Sequence, residues 1–371
     1  MAETAATLEG DPKPNTVKLV VTLFSKPPNL TEKASDSSGP GPFTPISAGS
    51  RDLEASLRTT MHSVLTLTTT SLLSSTYLSP RIIQQVYLTV MPTEFSAIKL
   101  RRSPLIKHLE KTTSSELTLR LLPSNHPWPP KESNSPPLKL AIFDMDSTLI
   151  DQEVIDELAR TINITPLVSA ITARAMAGEL DFAESLKERV ALLKGVKADV
   201  WEELKGKVTF ARGARELCRA LKRLGVKMAV LSGGFQPMAE WVKGELGLNW
   251  AYANHLLVSD PTAEFSYRHI SGHLSPHPNH PIVTPQQKSR LLQEIASSEG
   301  IPLSEVLCVG DGANDLLMMK VTGEGEGMGV GFRGKERVQM EAPNRLNSES
   351  LVDMLYLYGY TAAEVEELTK E

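Results

Sequence analysis

From residue 138 onward, short apolar runs alternate with longer amphipathic stretches, and this alternation constrains the fold more than any other feature of the chain. The runs at 138–143, 226–231, 305–309 and 328–332 are too short for helices and largely apolar throughout. Strands of that kind are buried on both faces, which requires a parallel sheet covered by helices. In such sheets ligands collect at the carboxyl ends of the strands. The residues directly after each run are therefore where chemistry is expected.

The first run ends in Phe143-Asp144-Met145-Asp146-Ser147-Thr148. Two carboxylates this close repel one another unless a cation joins them, and oxygen donors suit Mg²⁺, which keeps waters and substrate phosphate oxygens in its shell. Taken alone, a polar turn leading to a helix cap explains the segment equally well. The second run ends in Ser232-Gly233-Gly234, where a hydroxyl and exposed amides beside a helix N-terminus form a phosphate cradle. Thr284-Pro285-Gln286-Gln287-Lys288 reads as a helix start, with Thr as N-cap, Pro first and Gln287 at the capping-box position. Lys288 then sits in the first turn, where the helix dipole disfavours a cation, and a bound phosphate would offset that cost. The third run ends in Gly310-Asp311-Gly312-Ala313-Asn314-Asp315, a tight turn that converges three oxygen-bearing side chains. Each turn has a purely structural explanation, but three of them on one sheet edge argue for a phosphate and metal site.

The 371-residue chain carries 39 Lys and Arg against 44 Asp and Glu, a formal charge of -5. It offers no polycationic face, so neither nucleic acid nor a membrane is an expected partner. Cys218 and Cys308 lie in apolar stretches and read as buried, reduced thiols rather than a disulfide framework. With no bilayer-length apolar segment and no leader pattern at the N-terminus, the expected location is cytoplasmic.

Pro- and Ser-rich stretches at 26–45 and 122–137 divide the N-terminal third, and residues 123–137 read as a linker. Residues 1–122 form an expected small α+β module, with strands at 17–24, 86–90 and 116–121 and helices at 51–61 and 95–110. Beyond the linker, 138–152 and 208–360 are expected to form the sheet core, 153–207 a helical cap over the sheet edge, and 361–371 a tail. A hairpin is expected from 250–258 and 265–274. Within the cap, Phe182 and Arg189 are seven apart, which brings them within about 20° on one helix face. Arg189 thus flanks an apolar stripe, where a guanidinium suits bidentate binding of a carboxylate, while Glu153 suits an ammonium. An intrahelical ion pair for Arg189 and a helix N-terminal charge for Glu153 are the plainer alternatives. His269, His273, His277 and His280 read as a solvated loop.

The segments FDMDSTLIDQEVIDELA, AMAGELDFAESLKERVALLKG, VLSGGF, PIVTPQQK and VGDGANDLLM resemble, in order and spacing, the phosphoserine phosphatases of the haloacid dehalogenase superfamily. The resemblance covers about residues 138 to 360 and implies a Rossmann-like α/β core with an inserted helical cap. It implies Mg²⁺-dependent hydrolysis of the small molecule phosphoserine to serine and phosphate, the last step of serine biosynthesis. Asp144 would be the nucleophile that forms an aspartyl-phosphate, and Asp146 the acid and then base. Mg²⁺ would be held by the Asp144 carboxylate, the Asp146 backbone carbonyl and Asp311, with Asp315 orienting them. Ser232, the Gly233 amide and Lys288 would hold the transferring oxygens, with Asn314 near the substrate. Glu153 would pair with the substrate ammonium and Arg189 with its carboxylate, Met176 and Phe182 enclosing the site. Relatives carry regulatory domains of the ACT type at the N-terminus. Serine sensing, homodimer formation and shielding of the core are the roles such a module leaves open. Two other readings stand beside this one: a phosphatase for another small phosphomonoester, and a sensing or scaffolding protein on an inactive core.

Overall fold

The computed structural model describes residues 15–25, 49–64, 70–79, 81–91, 97–123, 138–275, 279, 281–324 and 327–371. The chain divides into two compact units, Met1–Pro127 and Trp128–Glu371.

The first unit is built from strands β1 (Asn15–Ser25), β2 (Thr70–Ser79), β3 (Ile82–Met91) and β4 (Ser115–Pro123), with helices Gly49–Val64, Ala97–Arg101 and Pro104–Thr112. The strands form one antiparallel sheet in the order β2-β3-β1-β4. With a helix after β1 and two after β3, this is the split βαβ arrangement of ferredoxin-like modules. Leu19, Val21 and Leu23 of β1 pack with Leu57 and Met61 of the first helix and with Ile106 and Leu109 of the last. The unpredicted strand is β2, TSLLSSTYLS, whose pairing with β3 shifts register at Leu72/Ser74 and at Tyr77/Ser79. Each bulge interrupts the period-2 alternation on which strand recognition depends. The single helix expected over 95–110 is broken in two, because Pro104 starts a new helix whose N-cap, Ser103, has extended φ/ψ of -55° and 136°.

In the second unit β5 (Leu140–Phe143), β6 (Lys227–Phe235), β7 (Trp250–Asn254), β10 (Val306–Gly310), β11 (Met328–Phe332) and β12 (Asn344–Leu346) form a six-stranded sheet; the intervening β8 (Leu256–Ser259) and β9 (His269–Leu274) pair separately as a hairpin. The sheet order is β12-β11-β10-β5-β6-β7, parallel throughout. Every residue of β5, β10 and β11 is buried, as helix-covered strands require. On one face Leu140, Ile142 and Cys308 pack against Leu292 and Ile295 of helix Pro285–Ser298 and Met318 of helix Leu316–Glu324.

Two expectations needed correction, and one strand left no signal in the sequence. Residues 250–254 are not part of the hairpin but the parallel edge strand β7. Strand β12, three residues long, is too short to leave a periodic pattern. The expected tail carries a helix, Ala362–Thr369, with a Thr361–Glu364 capping box at its start, and Arg219 donates to the Thr369 carbonyl at its end.

Helices Val154–Thr161, Thr165–Met176, Phe182–Ala191 and Val200–Lys205 are inserted between β5 and β6. The chain between the last two is stitched to β9 by backbone bonds, Gly195 N to Ile270 O at 2.9 Å and Ile270 N to Val196 O at 2.8 Å. The hairpin therefore braces the helical insertion. The central strand β5 lies between β10 and β6, so the turns after these three neighbours meet at one place.

Candidate active site

Asp144 follows β5 directly, and its amide donates to the Val309 carbonyl of β10 at 2.9 Å, which ties the two strand ends together. The amides of Thr148, Leu149 and Ile150 all turn back to the Met145 carbonyl, with Ser147 at φ +55°. This coil packs Asp144, Met145 and Asp146 into the sheet edge. On β10, Gly310 is required by close approach: a Cβ there would lie 2.4 Å from Asp315 Cγ. On β6, a Cβ at Gly234 would lie 2.9 Å from Asp146 Oδ2. Gly310 and Gly234 leave space for carboxylates.

Lys288 occupies the centre of the arrangement. Thr284 caps its helix by accepting from Gln287 N at 3.2 Å, and Lys288 stands in the first turn, fully buried. Its ammonium donates to Asp144 Oδ1 at 2.8 Å and to Asp315 Oδ1 at 2.7 Å. The second Asp315 oxygen accepts from Gly312 N at 3.0 Å, so both of its oxygens are engaged. Burial by itself would lower the lysine, but Asp144 and Asp315 outweigh it and raise its pKa, so it is a fixed cation.

The carboxylates exceed that single charge. Asp144, Asp311 and Asp315 are all buried, with oxygens within 4.8 Å of one another, and they are the group of acids, His or Cys among the described residues placed to share an ion. Burial first, and then Asp315, push Asp144 up to about 7 from an ordinary 3.8. Burial and Asp144 push Asp311 up to about 6. Three buried carboxyls whose oxygens converge around one buried ammonium are a donor set that could hold a metal ion. Hard oxygen ligands and strand-end geometry fit such an ion.

Asp144, Asp146, Glu153, Phe182, Arg189, Gly233, Asp311 and Asn314 line one cavity of about 110 Å³. The structure thus gathers the residues expected from three strand ends and the helical insertion. Ser232 and Lys288 are fully buried beside it rather than on its wall, and the Ser232 hydroxyl accepts from Gly234 N at 2.8 Å. Helix Thr165–Met176 ends at Met176, whose side chain lies outside the described residues, as do His277 and His280. His269 is buried in β9, not in a solvated loop, and bonds the Tyr267 carbonyl through Nδ1 at 3.1 Å.

Burial and then Glu153 raise the carboxyl of Asp146 well above its ordinary value. Glu153 precedes helix Val154–Thr161 without a side-chain cap bond; instead it accepts from Ser147 Oγ at 3.2 Å. Arg189 makes no intrahelical ion pair among the described residues; its Nε donates to the Ser185 carbonyl at 3.2 Å, and burial lowers its pKa despite Glu153 and Asp156. Both residues line the cavity; Arg189 does so without the intrahelical ion pair of its plainer alternative, whereas Glu153 does stand at the helix N-terminus as its plainer alternative has it.

One charged wall residue escaped sequence reasoning. Lys335 follows β11, and its ammonium meets Glu153 Oε1 at 2.9 Å and Asp311 Oδ2 at 3.2 Å. The signal was present, since β11 was expected as a strand of the same sheet and Gly334-Lys335 lies just past its carboxyl end.

The comparisons with known proteins fall on this same region. A Schizosaccharomyces pombe protein named probable phosphoserine phosphatase is 45% identical over 230 residues, 62% of this chain and 73% of that protein. The phosphoserine phosphatase of Saccharomyces cerevisiae is 42% identical over 228 residues, 61% of this chain and 69% of that protein. A solved structure described as a phospho-aspartyl intermediate analogue of phosphoserine phosphatase aligns with a TM-score of 0.52 at 35% identity, covering 59% of this chain and 98% of that one. Residues 138–323, from the strand before Asp144 to the helix after Asp315, match the haloacid dehalogenase-like hydrolase model, and the chain belongs to that family.

Proposed function

We propose that this hydrolase converts O-phospho-L-serine to L-serine and inorganic phosphate, the last step of serine biosynthesis, through an aspartyl-phosphate on Asp144 and with Mg²⁺. The observation that carries the reading is the single cavity in which Asp144 and Asp146 face Glu153 and Arg189. The first pair handles a phosphoryl group, and the second matches the ammonium and carboxylate of an amino acid. The names of the relatives from both yeasts support the same substrate.

An Asp144 carboxylate oxygen attacks phosphorus, and the bond from phosphorus to the serine oxygen breaks. The Lys288 ammonium, pinned on Oδ1, fixes the orientation of that carboxylate. Asp146, whose burial favours the protonated form, gives its proton to the departing serine oxygen, which would otherwise leave as an alkoxide. The resulting Asp146 carboxylate then takes a proton from the water that attacks phosphorus, and the bond from phosphorus to Asp144 breaks. The Gly233 amide and Asn314 border the cavity where the transferring oxygens lie, and Ser232 shapes that loop from below. Mg²⁺, held by the Asp144 carboxylate, the Asp146 carbonyl and Asp311, would neutralise phosphoryl oxygens and reduce their repulsion of the nucleophile.

The βαββαβ order of the N-terminal unit supports an ACT-type module and, with it, a homodimer, which sedimentation equilibrium tests directly. Two free buried thiols, and no helix among the described residues long and apolar enough to cross a membrane, support a cytoplasmic setting.

The deciding experiment is phosphate release with Mg²⁺ across L-phosphoserine, D-phosphoserine, phosphothreonine, phosphoethanolamine and a sugar phosphate. Preference for L-phosphoserine is the expected result. Equal turnover of the sugar phosphate would leave only a general small-phosphomonoester hydrolase.

A further inference from the structure

Lys335 is the charged wall residue that the reaction does not use. Its ammonium sits between Asp311, assigned to the metal, and Glu153, assigned to the substrate's ammonium. Unlike Lys288, its side chain is 63% exposed. Its backbone position is independent of that charge, because the Lys335 amide donates to the Asp311 carbonyl at 2.9 Å and the residue precedes helix Glu336–Glu341 as N-cap.

A cation bound at Asp311 and an ammonium 3.2 Å from the same carboxylate repel one another. The buried Lys288 cannot move away, since both of its partners are themselves buried. Lys335 can, because most of its side chain is exposed to solvent and its partner Glu153 is itself 36% exposed. We propose that Lys335 is a placeholder cation, which balances Asp311 while the metal site is empty of charge and yields that carboxylate to the arriving divalent ion.

The placeholder assignment rests on the reading of Asp311 as a metal ligand. It makes Lys335 a positioning residue with an unusual sign: a lysine that merely holds Asp311 in place would help the metal bind, whereas a placeholder opposes it. Removing the placeholder strengthens metal binding and weakens the metal-free protein.

The test is a calorimetric titration of the metal-free, full-length protein with Mg²⁺ alone, for wild type, Lys335→Gln, Lys335→Arg and Asp311→Asn, with a melting curve of each metal-free protein. Lys335→Gln is expected to tighten Mg²⁺ binding roughly twofold to fivefold, the range of a partly exposed ion pair. It should also melt lower than wild type without metal, and Lys335→Arg should restore both values. Unchanged or weaker Mg²⁺ binding in Lys335→Gln overturns the placeholder role while leaving the metal site standing. Undiminished binding in Asp311→Asn overturns the metal assignment itself.

Discussion

Two lysines bridge two carboxylates each, 2.7 to 3.2 Å apart, and their surroundings separate them completely. Lys288 is fully buried with Asp144 and Asp315, while Lys335 is mostly exposed between Asp311 and Glu153. A buried ammonium has no water to return to, so its bonds define the geometry of Asp144. An exposed one exchanges its partners for solvent at little cost. The same pair chemistry yields a fixed foundation on one side of the cavity and a replaceable counter-ion on the other.

The largest effect expected on the buried side is at Asp144, the proposed nucleophile. Asp144→Asn keeps shape but removes the attacking charge, and phosphate release should fall by about 10⁴ or more, as when an essential nucleophile is lost. Release that survives, or that ignores a chelator, would rule out the covalent metal-assisted route. Lys288→Met should come next. Leaving the buried Asp144 and Asp315 without their cation is expected to cost about 3–5 kcal/mol of stability, read from urea unfolding of the metal-free protein. A loss below about 1 kcal/mol, the worth of a surface pair, would make the two lysines equivalent.

Arg189→Ala probes the wall between them. Loss of a charge-assisted bond to the substrate carboxylate should lower kcat/KM for phosphoserine by about tenfold to a hundredfold. Turnover of an aryl phosphate, which has no such carboxylate, should change far less, and equal losses on both would remove the amino-acid specificity.

The last test is a dependence on pH. Asp144 is raised in the folded chain from 3.8 to about 7, so the fold holds a proton that the unfolded chain has released. Stability of the metal-free protein should therefore fall as pH rises from about 4 to about 7, and Asp144→Asn should flatten that slope. Mg²⁺ should stabilise more at pH 8 than at pH 5, because it replaces the protons on Asp144 and Asp311. A slope identical in wild type and Asp144→Asn, followed by thermal melting, would place the titration elsewhere.

Asp144, Asp146, Ser232, Gly233, Asp311 and Asn314 were legible because each follows an apolar run at the edge of a parallel sheet, and such edges converge regardless of what fills the loops. Asp144, Asp311 and Lys288 could be read from strand and cap signals alone. Lys335 was not, although it follows the same kind of strand end, because a lone lysine after a Gly-rich strand looks like any solvated surface charge. Strand β2 of the first unit escaped for the opposite reason: Ser and Thr on both faces and two register shifts leave no period to detect.

By itself, then, the amino-acid sequence determined the sheet class and the placement of carboxylates at the strand ends, since periodicity and spacing are local properties of the chain; roles for those acids and for the cap residues came from the family resemblance. Only the tertiary structure decided how the charges are shared. Lys288 is 144 residues from Asp144 and Lys335 is 182 from Glu153 in sequence, and burial, which makes one pair permanent and the other exchangeable, exists only once the strands have met.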